Sequence, residues 1–97
     1  MAKKYRFIAF FNGNDAWRAL TTEVRQKTLE SQKLLRKDQQ KKLDVVELFW
    51  ASPLGVSEQG VLVVEADSLE LFNQYWTGAE FGKWFTARRT IMCYGDF

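Results

Sequence analysis

The sequence has no histidine, one cysteine and one proline among 97 residues, and each shortage closes off some chemistry. Histidine is the usual general base near neutral pH and the commonest transition-metal ligand. Zinc sites, histidine-ligated haem and Ser-His catalysis are therefore not expected, nor is any metal or other cofactor. A single thiol, Cys93, cannot close an internal disulfide, and with no base beside it in the chain, packing explains it better than reactivity. No uninterrupted apolar run approaches the roughly 18 residues of a membrane span. The start Met-Ala-Lys-Lys-Tyr lacks the apolar stretch of a secretory leader, so a soluble, cytoplasmic protein is the expectation. Phosphate-binding glycine loops, metal-ligand spacings, internal repeats and low-complexity linkers are missing as well.

What the sequence does have is large apolar side chains: 8 Phe, 4 Trp and 3 Tyr, with 46% hydrophobic residues overall. That content is too high for a disordered chain, and 97 residues leave room for one core, so residues 1–97 read as a single domain. The aromatic surplus exceeds what one small domain readily covers and points to a buried subunit interface. With 14 basic and 12 acidic residues the net charge is only +2, so no overall field draws the chain to nucleic acid or an anionic membrane.

Along the chain, Tyr5 to Phe11 reads as a strand apolar on both faces, ended by Asn12-Gly13-Asn14. Asp15 is placed to cap a short helical turn through Leu20, and Thr21 or Thr22 to cap a longer helix to about Gln40. This helix offers only Val24, Leu29, Leu34 and Leu35 as apolar positions. From Arg25 to Lys42 it carries seven basic residues against Glu30 and Asp38, which predicts a wet, basic face. Asp44 to Ala51 and Gly60 to Ala66 read as a second and third strand, joined through Pro53, Gly55 and Gly60. Asp67, with Glu70 three positions on, is placed to cap a second helix bearing Leu69, Phe72, Tyr75 and Trp76 and resuming through Phe81, Trp84 and Phe85. Thr90 to Tyr94 completes the pattern as a fourth strand. The order βαββαβ matches a ferredoxin-like α+β fold, a four-stranded antiparallel sheet with helices on one face. Because the first three strands are apolar on both sides, the other face needs a cover, and a second copy of the chain is the simplest one.

The segment Asp15-Ala16-Trp17-Arg18-Ala19-Leu20-Thr21, followed by Glu23 and Arg25, resembles the opening of darcynin-like proteins, a family of small bacterial proteins. The passage Val61 to Glu70, with aromatics ahead of a last strand, resembles more broadly the dimeric α/β-barrel superfamily. The resemblance implies two paired ferredoxin-like sheets. It does not imply an activity, because that superfamily spans cofactor-free monooxygenases, isomerases, haem-handling proteins and ligand sensors. Its haem-degrading branches use histidine, which this chain lacks.

Glu47 and Glu65 are the only acids inside otherwise apolar strands, so each faces either water or a cavity where ionisation is costly. If they pair across the hairpin they repel; a slip of one residue puts them on opposite faces. With Tyr94 they are the catalytic candidates, and the alternative for each acid is an ion pair with Arg6, Arg88 or Arg89. Trp50, Trp76, Phe81, Trp84 and Phe85, together with Tyr75 and Tyr94, are candidates to line an apolar ligand pocket between sheet and helices. Ordinary core packing is their other reading. Trp17 reads as the anchor of the short turn before the long helix. The basic stretch lacks the interleaved aromatics of RNA-recognition strands, so no nucleic-acid partner is expected. Two readings stay open: a homodimer binding a small, largely apolar molecule as carrier, sensor or cofactor-free enzyme, and a structural or protein-interaction module with no open pocket.

Overall fold

The computed structural model describes residues 3–51 and 59–94, without the side chains of residues 49–51 and 59. The stretch holding Pro53 and Gly55, expected as a hairpin loop, lies outside the described residues. The elements run β1 (Tyr5–Gly13), α1 (Asp15–Arg18), α2 (Thr22–Leu43), β2 (Val46–Ala51), β3 (Gln59–Ala66), α3 (Leu69–Gly78), α4 (Phe81–Trp84) and β4 (Phe85–Tyr94). The sheet order is β2-β3-β1-β4 with every neighbouring pair antiparallel. This is the ferredoxin-like α+β arrangement expected from the order of elements.

Several boundaries move, each for a local reason. Asn14, not Asp15, caps α1: its Oδ1 accepts from the Trp17 amide at 3.0 Å. α2 runs to Leu43, and Asp44 then turns into the left-handed region at φ 54, so β2 starts at Val46 and not at Asp44. Ser68, not Asp67, caps α3 through the Leu71 amide at 3.1 Å. Asp67 instead accepts from the Lys4 amide at 3.1 Å, tying the start of the chain to the end of β3. Phe85 belongs to β4, which begins five residues ahead of the expected Thr90. The polar run Thr86 to Arg89 hides it because β4 is an edge strand and mostly exposed; a bulge at Arg88, between the Phe11↔Ala87 and Phe10↔Arg89 pairs, breaks its alternation.

The core lies between the sheet and the helices. Phe7, Ala9 and Phe11 of β1 and Leu62, Val64 and Ala66 of β3 point toward Phe72, Tyr75 and Phe81. Phe7 stacks on Phe72 with centroids 4.8 Å apart, and Trp76 stacks on Phe81 at 4.9 Å. Such ring pairs add roughly 0.5–1.5 kcal/mol each beyond the area they bury. Trp17 is buried at the far end against Phe85, centroids 4.8 Å apart, with the Arg25 guanidinium over its ring. Gly13 permits that docking, because a Cβ there would overlap the Trp17 indole.

Of the apolar positions expected for α2, only Leu29 faces the core. Val24, Leu34 and Leu35 are 43%, 70% and 36% exposed, whereas Gln32 and Arg36 are buried. Its inward stripe is Leu29, Gln32, Arg36, Gln40 and Leu43, a helical spacing filled largely by polar groups. The other sheet face carries Arg6, Ile8, Phe10, Val61, Val63, Glu65, Ile91 and Cys93. Most of these side chains are half-buried, and among the described residues the helices all pack on the opposite side.

Candidate functional site

Two polar residues of the α2 stripe, Arg36 and Gln40, converge on Glu47. Its carboxylate accepts from the Tyr75 hydroxyl at 2.9 Å and meets the Arg36 Nε at 3.1 Å. Its backbone amide donates to the Gln40 Oε1 at 3.0 Å. The Arg36 and Glu47 side chains are only 8% and 12% exposed, and Tyr75 is fully buried. Burial first, and then the charge and hydrogen bond of Glu47, hold the Tyr75 phenol far above its ordinary range. It is a fixed proton donor at physiological pH, aimed at a carboxylate that a guanidinium neutralises.

Register sets this arrangement. Val46 pairs with Glu65 and Glu47 with Val64, and a bulge at Leu48 follows. The two acids are therefore on opposite faces, the slipped alternative. Glu65, on the open face, accepts from Arg6 at 2.8 Å, one of the ion pairs considered for it. Tyr94 ends β4, 72% exposed and edge-on to Tyr5. Strands β1 and β3 separate it from β2, so the structure does not bring Glu47, Glu65 and Tyr94 together.

The aromatic candidates also divide. Phe81 and Phe85 are buried core residues, and Trp76 packs half-buried between Phe11 and Phe81. Trp50 lies in β2 opposite Leu62, its side chain outside the described residues. Trp84 lines a small cleft of about 180 Å³ between α2 and the α3–α4 turn. A wider groove of about 690 Å³ follows the outer side of α3. Its described walls, Leu69, Glu70, Asn73, Gln74, Thr77 and Gly78, contain none of the sequence candidates. Arg36, Gln32, Gln40, Glu80 and Lys83 were not among those candidates. The one signal for the first three was their 3–4 spacing with Leu29 and Leu43 on the helix.

No protein-family model matches the sequence, and no curated protein matches it. Among solved structures, the chain superposes on a protein assigned as a chlorite dismutase, with TM-score 0.70 and 10% identity. The match covers 99% of this chain and 46% of that one, so the chain spans about half the length of the structure it resembles. At this identity the likeness shows the fold alone, a ferredoxin-like α+β unit.

Proposed function

We propose that this chain works as a homodimeric α/β-barrel protein, two copies joined through their open sheet faces, that binds a small, largely apolar molecule. The carrying observation is that open face. Ile8, Phe10, Val61 and Ile91 form an apolar centre, and Arg6, Glu65 and Arg89 supply both signs of charge around it. A two-fold interface sets a patch against itself, so a patch bearing both signs is self-complementary. The length relation with the structural neighbour supports the same reading, since two copies of this chain hold about as much polypeptide as that one chain. Kinship with darcynin-like proteins is part of this proposal and rests on segment 15–21, which folds as α1 and its following turn with Trp17 docked.

Light scattering at micromolar concentration is expected to read twice the 11.4 kDa chain mass. Phe10→Asp places a charge at the centre of the patch and is expected to return a folded monomer. A monomer mass for the unaltered chain overturns the dimer.

The ligand half of the reading draws on the Glu47 cluster, whose phenol, carboxylate and guanidinium are partnered with one another, so that an apolar molecule with one polar group would bind by exchanging for one of those contacts. A compound of that kind is expected to raise the melting temperature of the wild type more than that of Tyr75→Phe. The complete burial of Phe7, Leu62, Val64, Tyr75 and Phe81 favours the interaction-module reading instead. On that reading no such compound shifts the melting temperature while the dimer persists.

A further inference from the structure

The cleft between α2 and the α3–α4 turn has properties that the packing of the fold does not require. Its walls include Ser31, Gln32 and Leu35, with Thr28, from α2, and Glu80, Lys83 and Trp84 from the other side. Gln32 is only 4% exposed. Its Nε2 donates to the Ala79 carbonyl at 3.2 Å, which fixes the amide, since the flipped orientation would set two oxygens against each other. The Gln32 Oε1 that remains is buried and has no hydrogen-bond partner among the described residues. A covered acceptor in that state has given up water without replacement, and folded proteins rarely keep such a group unless something meets it.

Hydrogen bonds and a ring contact tie the walls to the rest of the fold. Asn14 donates through Nδ2 to the Lys83 carbonyl and through its amide to the Trp84 carbonyl, both at 2.9 Å, which pins α4 to the β1–α1 junction. The Trp84 ring stands edge-on to buried Trp17, centroids 6.2 Å apart. Glu80 is held at φ 59 with its amide bonded to the Thr77 carbonyl at 3.1 Å. The cleft is thus shaped by contacts made elsewhere, which reduces the ordering that binding would cost.

We propose that this cleft binds a small zwitterion of the amino-acid type, its ammonium group donating to Gln32 Oε1 beside the Glu80 carboxylate and its carboxylate facing Lys83 and Ser31. The unpartnered acceptor calls for a donor, and an acid in the same cleft lining, Glu80, makes a cationic N–H the stronger choice. Lys83 opposes a ligand that is purely cationic and calls for a negative group at the other end. Its Nζ rests 5.4 Å from the centre of the Trp84 ring, so a carboxylate drawn to it also alters the surroundings of that indole. A volume of about 180 Å³ equals roughly six waters at their liquid share of ~30 Å³. Leu35 and Trp84 leave an apolar wall for a short side chain. Alanine is the probe that fits these limits. The open sheet face plays no part here, so failure of this proposal and failure of the dimer are read separately.

The test is a nuclear magnetic resonance titration of the ¹⁵N-labelled full chain with L-alanine, with trimethylglycine as the control that keeps both charges but has no N–H. Saturable shifts of the Trp84 indole N–H and the Gln32 side-chain amide are expected with alanine only. Glu80→Gln is expected to weaken alanine by about tenfold, and Gln32→Met, which removes the acceptor, to abolish binding. Because Gln32 also holds the Ala79 carbonyl, Glu80→Gln on an exposed side chain decides the matter if the Gln32 variant does not fold. No saturable shift up to tens of millimolar, a concentration suited to so few ligand atoms, means that the cleft holds water only and overturns the proposal. Equal shifts with trimethylglycine, or unchanged affinity in Glu80→Gln, overturn it as well.

Discussion

Glu47 and Glu65 are the same residue type in adjacent antiparallel strands, and a difference of one residue in register gives them opposite environments. Glu47 turns toward the helices, where Arg36, Tyr75 and Gln40 enclose it. Glu65 turns to the open face and accepts two hydrogen bonds from Arg6, whose side chain is 35% exposed. The lesson is that the partner of a strand acid is set by face, not by sequence neighbourhood: the charged partner of Glu47 is an arginine of the helix expected to present a wet, basic face.

The largest effect should follow from removing Arg36. Arg36→Leu leaves the Glu47 carboxylate covered and uncompensated, and breaking a buried pair in this way costs about 3–5 kcal/mol. Urea denaturation measures it, and adding Glu47→Leu is expected to restore a substantial part. If Arg36→Leu costs no more than a surface pair, the contrast between the two acids collapses.

Tyr75→Phe comes next, with an expected loss of about 1.5–3 kcal/mol for a hydrogen bond to a charged group. It also changes the pH dependence. The unfolded chain releases the phenol proton near pH 10.0, whereas the folded chain keeps it. The unfolded state thus binds fewer protons above that pH, and stability falls as pH rises further. The contribution is complete below pH 10.0 and lost above it, so Tyr75→Phe should flatten the alkaline arm of a melting-temperature profile. An alkaline arm equally steep in both proteins would place the titrating group elsewhere.

The smallest effect belongs to the open face. Arg6→Ala or Glu65→Gln should cost below about 1 kcal/mol when measured on dilute chain, as is usual for partly exposed pairs. On the proposed dimer, the same variants should cost more at high concentration, because pairing would remove these side chains from water. Equal costs at both concentrations would sharpen the comparison against the dimer.

Much of the fold was legible in the sequence, because its signals are local. Near-continuous apolar runs at Tyr5–Phe11 and Gly60–Ala66, the Asn-Gly-Asn turn and helical aromatic spacing from Phe72 to Trp76 act within one element or its neighbour. Even the boundary errors were small where a competing cap stood next door, as at Asn14 and Ser68. The edge strand β4 was found late because its exposed half has no burial to impose an alternation. The candidate site was less legible. A helix periodicity cannot distinguish Leu34, exposed, from Arg36, buried, since hydropathy alone favours the wrong one.

Element order, strand and helix identity, and the apolar character of both sheet faces were determined by the sequence itself, through steric and hydrophobic preferences that need only a few neighbouring residues. The β2–β3 register, the inward turn of Gln32 and Arg36, and the meeting of Glu47 with Tyr75 were decided by tertiary structure alone. Each depends on groups far apart in the chain finding hydrogen-bond and charge partners, and no local pattern encodes a partner that only folding brings near.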